Sequence, residues 1–202
     1  KVVFTDAADG PSSGALGDSI EIIFNMIEKN YPHSILSTVL DPDVAKLAFE
    51  KGVGSKIKTI IGGKFDNRFK SIELEFDVIS INDKSFMPER WVWLQKPGKS
   101  AVLKSDNLTI VVTSNPVMQV DRAIYLNNGI DPKNYHSVIV KSPHCEPEFY
   151  DDWVKENLNV DAKGSTSANL KSLGHKNCMR PMYPLDENTI FDPQVEEYIK
   201  KI

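Results

Sequence analysis

Val2-Val3-Phe4-Thr5-Asp6-Ala7-Ala8-Asp9-Gly10-Pro11-Ser12-Ser13-Gly14-Ala15-Leu16-Gly17-Asp18 decides the fold. A short apolar run from Val2 to Phe4 reads as a buried strand. Gly10 to Gly17 follows as a loop of small and turn-forming residues. A helix start comes next, with Asp18 placed to cap it and Glu21 three residues later, as in a capping box. Ile20, Ile23, Phe24 and Ile27 recur at helical spacing, and Ile22 and Met26 widen that stripe, so the spacing predicts a helix buried on most sides. A strand, a glycine-bearing loop and a helix in this order open an α/β fold.

Reading outward, Pro32 stops the helix, and His33 to Leu40 reads as a second strand. Asp41-Pro42 supplies an N-cap and a proline at the first helical position, and Gly52 ends that helix. Lys56 to Ile61 is a third strand, closing on Gly62-Gly63-Lys64. The order strand, helix, strand, helix, strand favours a parallel layer. The character then changes: Ile72, Leu74, Phe76 and Val78 alternate with Glu73, Glu75 and Asp77, as in a strand with one wet face. The phase slips at Val78-Ile79 and resumes at Ile81, which predicts a bulge.

Further strands are expected at Ala101–Leu103, Leu108–Thr113 and Ser137–Val140, and helices at Asp121–Asn128 and Glu146–Asn157. Gly174 to Asp192 reads as an extended, wrapping connection, and Val195 to Lys200 as a short terminal helix. The expected fold class is α/β: a mixed sheet with an N-terminal βαβαβ portion (residues 1–64) and an antiparallel-rich second half (65–186). A tail helix (187–202) completes a single domain of 202 residues.

Composition narrows the function classes. Lys and Arg total 24 against 28 Asp and Glu, a net charge of −4 with no basic run, which argues against nucleic acid and anionic membranes as partners. No apolar run approaches the roughly 20 residues that span a bilayer. Cys145 and Cys178 do not make a disulfide framework, so a reduced, cytoplasmic setting is expected. The chain lacks an initiator Met and begins inside a strand, which suggests a missing upstream portion.

The first loop is the leading site. It resembles a phosphate loop in outline only: it has neither a G-x-x-x-x-G-K-[ST] pattern nor a Lys or Arg. Asp6, Asp9 and Asp18 bring carboxylates together there; they suit a cation, a substrate amine, or hydrogen bonds that merely hold the loop. Lys64 and Lys141 each follow a strand, where α/β sheets bind ligands, and are otherwise solvated strand ends. His144-Cys145 and His175-x-x-Cys178 are the remaining candidates, two ligand pairs that would close a tetrahedral zinc site if the fold joined them. Trp91 and Trp93 suit core or interface packing.

Taken together, these motifs resemble the C-terminal domain of the microcystinase C (MlrC) family of zinc metallopeptidases. Asp6-x-x-Asp9-Gly10-Pro11-Ser12-Ser13-Gly14-Ala15-Leu16-Gly17-Asp18-Ser19 is similar to that family's D-x-x-D-N-P-G-G-G-x-x-G-D-[ST] segment. Asp41-Pro42, Gly52-Val53-Gly54, Gly62-Gly63-Lys64, Thr113-Ser114, Gly129-Ile130-Asp131-Pro132, Lys141-Ser142 and Tyr183-Pro184-Leu185-Asp186 follow in the family's order. The departures are Gly10 where the family has Asn, Ser12 and Ser13 where it has glycines, and Pro143-His144-Cys145 where it shows H-F-R after Lys-Ser. Pro116 also stands near a common arginine.

The resemblance implies one half of a two-domain hydrolase. Its zinc would be bound by an N-terminal catalytic domain absent from this chain, with no catalytic residue and no metal ligand here. Asp9, Ser12, Ser13, Gly14, Asp18, Lys64, Lys141 and Ser142 would face a short peptide or amide substrate. The implied partners are that domain and the substrate, with a homo-oligomer left open. Two other readings stand beside it: a binding or scaffold protein that keeps the fold without the chemistry, and a stand-alone enzyme with zinc at the His/Cys pairs.

Overall fold

The computed structural model describes residues 1–144, 147–190, 192–194 and 196. The chain divides into two compact units, Lys1–Ala168 and Asn169–Ile202.

The first unit is built on one eight-stranded mixed sheet. Its strands are β1 (Val2–Thr5), β2 (Ile35–Leu40), β3 (Lys56–Ile61), β4 (Ile72–Asn82), β5 (Ser100–Ser105), β6 (Leu108–Thr113), β7 (Ser137–Val140) and β8 (Glu156–Asn159). They lie in the order β3-β4-β5-β6-β2-β7-β1-β8. Strands β6, β2, β7, β1 and β8 pair in parallel, whereas β3, β4, β5 and β6 pair antiparallel. The expected α/β class with a mixed sheet is what the molecule shows.

Every residue of β2, β6 and β7 is buried, because both faces of this part of the sheet are covered. On one face, Ile35, Val39, Ile110, Val112 and Ile139 pack with α1 (Glu21–Glu28) and α2 (Pro42–Lys51) through Ile23, Met26, Val44 and Ala48. On the other, Leu36, Val111, Val138 and Val140 pack with Ile124 and Tyr125 of α3 (Ala123–Asn127) and Tyr150 of α4 (Pro147–Tyr150). Adjacent residues of one strand thus enter opposite cores. Each Val, Leu, Ile or Met side chain so removed from water contributes about 1.5–3 kcal/mol.

Local signals fare unevenly. Asp41 accepts a hydrogen bond from the Val44 N–H (3.0 Å) with Pro42 at the first turn, and Gly52 ends α2, as expected. The register of β4 against β5 shifts between Val78 and Ser80, the predicted bulge.

Three expectations are corrected. Strand β3 does not join a parallel layer but pairs antiparallel with β4 at the sheet's edge. Its charged Lys56 and Lys58 suit an edge that must not recruit another strand. The helix expected over Glu146–Asn157 is a single turn, and Glu156–Asn159 form the exposed edge strand β8, held by main-chain pairing with β1. Asp18 does not cap α1: the N-cap is Ile20, and Glu21 is the first helical residue rather than the third.

In the second unit, Leu170–Leu173 form one 3-10 turn and the rest of the described backbone is irregular. Arg180 pairs with Asp186, which also accepts from the Met182 N–H (2.7 Å). The terminal helix expected over Val195–Lys200 lies outside the described residues, apart from Glu196.

Candidate functional site

The carboxyl ends of β1, β2 and β7 carry the residues that the first loop was expected to assemble. Where β1 ends, the Asp6 carboxylate accepts from the N–H groups of Ala8 (3.0 Å) and Asp9 (3.3 Å), a local turn that fixes the exit of the strand. Asp9 then reaches across the loop. One oxygen accepts from the Gly17 N–H (3.0 Å), the other from the Ser19 N–H (2.8 Å) and the Lys141 ammonium (2.8 Å). The Glu21 N–H, which a cap at Asp18 would take, donates instead to the Ser19 hydroxyl oxygen (3.3 Å), and Asp18 turns elsewhere.

Lys141, at the end of β7, is 2% exposed and is no solvated strand end. Besides Asp9, its ammonium donates to the Gly17 carbonyl (2.8 Å) and the Ser19 carbonyl (2.5 Å). An ammonium has three N–H donors, and all three are used. The Lys141 N–H donates to the Gln119 side-chain oxygen (2.6 Å), whose amide donates to the Tyr125 hydroxyl (2.8 Å). The lysine therefore ties the loop on one face of the sheet to α3 on the other.

Asp18 accepts from the Phe65 N–H (3.2 Å), and Lys64 donates to Asp41 at the end of β2 (2.7 Å). The second Asp41 oxygen is buried without a partner. The turn that brings Lys64 here demands glycine: Gly62 has φ +78°, and a Cβ there would stand 2.4 Å from Ile20. Burial pushes the Asp18 carboxyl above the ordinary carboxylate range, with the Phe65 N–H opposing and Asp9 adding to the rise. Burial raises Asp6 likewise, with Lys141 opposing.

The segment after β8 closes the other side of the loop. The Thr166 hydroxyl stands 2.9 and 3.0 Å from the Ala7 and Ala8 carbonyls and accepts from the Gly10 N–H (3.2 Å). Gly164 passes so close that a Cβ would meet the Ala8 carbonyl at 2.0 Å. Neither residue carried a sequence signal; only the chain's return beside β1 reveals them.

The eight predicted site residues thus separate by exposure into three groups. Asp9, Asp18, Lys141 and Ser142 are buried and committed to the protein itself, Ser142 to a turn with His144 (2.7 Å). Lys64 is partly buried against Asp41. Ser12, Ser13 and Gly14 stand exposed at the tip, on a 3-10 turn spanning Pro11–Ser13 and its left-handed Gly14 cap. A groove of about 590 Å³ between α1 and residues 160–163 is lined by none of the eight.

Positions 10 and 143 are neighbours: a Cβ at Gly10 would meet the Pro143 ring at 3.3 Å.

Among the described residues, no three of His, Cys, Asp and Glu come together to hold a metal ion, and no helix is long and apolar enough to cross a membrane. The loop carboxylates have their oxygens turned to N–H groups and Lys141, a poor fit to a metal. Cys145 lies outside the described residues, so the His144-Cys145 pairing is not seen. Trp91 and Trp93 are each 39% exposed, outside the core and on no strand.

The comparisons with known proteins agree with this architecture. The sequence matches the MlrC C-terminus family over residues 4–177. It is 24% identical over 193 residues to Microcystinase C of Sphingomonas sp, covering 92% of this chain and 36% of that protein. The crystal structure of the "Putative metallopeptidase" of Mesorhizobium sp. BNC1 superposes with a TM-score of 0.82 at 24% identity, covering 94% of this chain and 39% of that one, and so shares the fold. The chain therefore spans well under half the length of either relative. With a family match that covers most of its length, the chain belongs to the MlrC C-terminus family.

Proposed function

We propose that this chain is the substrate-facing, C-terminal portion of a zinc-dependent peptidase or amidohydrolase, inactive without the larger portion that binds the metal. The observation that carries the reading is family membership over residues 4–177, in a chain covering only 36% of Microcystinase C. Zinc held by the other portion would polarise the scissile carbonyl and activate water. This chain's own part is positioning. Asp9 and Lys141 lock the base of the first loop, which presents the Ser12 and Ser13 hydroxyls and the Gly14 main chain to a short peptide or amide. Because Lys141 has no free N–H, the tip and not the buried lysine touches substrate. A reduced, cytoplasmic setting suits the two cysteines.

The test compares two lengths of polypeptide. With zinc, the protein extended upstream hydrolyses short linear peptides and the 202-residue chain does not. Ser12→Ala with Ser13→Ala raises KM in the longer protein and leaves its thermal midpoint unchanged. Turnover by the metal-free short chain, or a gene that encodes no metal-binding portion upstream, defeats the reading.

A second reading has its own observation. Gly10 and Pro143, neighbours in space, are two of the departures from the motif that the chain resembles, as in a binding protein that keeps the fold without the chemistry. Peptide binding by the zinc-loaded longer protein without hydrolysis would favour it.

A further inference from the structure

In the first unit, four consecutive exposed large apolar side chains, Trp91 to Leu94, sit in one loop. Register places Asn82 opposite Ser100, Ser100 opposite Thr113, and Thr113 opposite Leu40, so these residues mark the carboxyl ends of the parallel strands. The loop joining β4 to β5, residues 83–99, leaves from that edge. It is a hairpin with a firm base: Phe86 and Gln95 exchange both main-chain hydrogen bonds (3.1 and 2.9 Å), and the Phe86 ring is buried in the second core.

Ion pairs pin it further. Glu89 pairs with Arg122, the Glu89 N–H donates to Asp121 (2.6 Å), and Arg90 pairs with Glu148 of α4 (3.2 Å). The tip is the opposite in kind. Trp91, Val92, Trp93 and Leu94 carry no charge and are 39%, 93%, 39% and 53% exposed, with the two indoles 5.2 Å apart. A rigid base beneath an apolar, aromatic tip loses little entropy on docking and presents the side chains that anchor interfaces. Glu89 and Arg90, the charges just before the tip, are already paired within the chain, so covering the tip strands neither.

We infer that the Trp91–Leu94 tip docks on the upstream, metal-binding portion of the full-length protein and fixes that portion over the first loop. The inference rests on the function proposed above. The occupant follows from length: the chain spans 36% and 39% of its two relatives, so in them most of the polypeptide lies outside this fold. The tip also shares the sheet edge that carries Ser12, Ser13 and Gly14.

Amide exchange and iodide quenching are measured on the 202-residue chain and on the protein extended upstream. In the longer protein, amides of residues 90–94 exchange at least about tenfold more slowly, while those of β6 are unchanged. Iodide quenches the Trp91 and Trp93 emission of the short chain and not of the long one. Trp91→Ser with Trp93→Ser returns residues 90–94 of the long protein to the short chain's exchange rate. Equal protection in both lengths overturns the inference. So does protection of the short chain that grows with its concentration, which would mark a second copy, or a blue shift on phosphatidylcholine vesicles, which would mark a lipid surface. Unprotected tips in a long protein that hydrolyses peptides sink only the docking, and protected tips in one that does not hydrolyse them sink only the proposed activity.

Discussion

Two ion pairs at opposite ends of the sheet have the same length and opposite surroundings. Lys141 and Asp9 meet at 2.8 Å with side chains 2% and 1% exposed, whereas Lys58 of β3 and Glu73 of β4 meet at 2.8 Å with side chains 66% and 54% exposed. In water, attraction is screened and the partners are hydrated either way, so an exposed pair contributes little. In the core neither ion can turn to water, and each depends on the other and on nearby main-chain groups. Distance is equal in the two; burial decides what breaking them does.

The largest effect is expected from Lys141→Met, which leaves the Asp9 carboxylate buried without its cation. Urea denaturation should show a loss of about 3–5 kcal/mol, the range for breaking one side of a buried pair. Asp9→Asn added to Lys141→Met should recover at least about 1 kcal/mol, because the stranded charge is gone. If the double variant is no more stable than the single one, the lysine acts through the Gly17 and Ser19 carbonyls instead, and the comparison fails.

The contrast also explains what could be read from the sequence. Asp41, Pro42 and Gly52 act within a turn of where they stand, so α2 was legible. So was the bulge in β4, because alternation carries its own phase. The partnership of Lys141 with Asp9 was not: no spacing links residues so far apart, and both looked like residues at the end of a strand or in a loop. The expected cap at Asp18 failed for a similar reason: its carboxylate takes the distant Phe65 N–H, and the Glu21 N–H donates to Ser19 instead. Strand direction is likewise absent from element order, which is why β3 looked parallel. Strand β8, Glu156-Asn157-Leu158-Asn159, is exposed along its length and so lacks any apolar alternation to betray it.

Lys64→Met tests the middle of the series. Lys64 and Asp41 lie 2.7 Å apart with side chains 28% and 1% exposed, so only the carboxylate is cut off from water. Removing the donor should lower stability by about 1.5–3 kcal/mol, the range for a hydrogen bond to a charged group. The Asp41 oxygen facing Val44 keeps its partner, so helix content by circular dichroism should hold. A loss as large as that of Lys141→Met would mean that partial exposure gives no relief.

Asp18 is a buried carboxylate that relies on an N–H group rather than on a directly bonded ammonium, so it tests burial without an ion pair. Its folded pKa is raised, so the native state holds the proton longer, and stability falls as pH rises through the folded value. Asp18→Asn keeps an acceptor for Phe65 and removes the charge. It should be the more stable protein at neutral pH, with the advantage shrinking as pH falls toward the ordinary value of 3.8. Asp66 does not confuse that window: its carboxyl, held down to about 2 by Arg68, stays ionised in the folded protein until well below it. An advantage independent of pH would assign the effect to packing.

Lys58→Met should do least, although its bond to Glu73 is as short as that of the buried pair. Exposed pairs of this kind contribute little, and that little should vanish in high salt, where the screening length drops to roughly 3 Å at 1 M. The loss from Lys141→Met should persist in the same salt, since counterions do not enter a site 2% exposed. Running both variants at low and high salt therefore separates burial from geometry within one protein. If the Lys58 variant lost stability on the scale of Lys141→Met, in salt or out of it, a 2.8 Å contact would be the governing quantity after all.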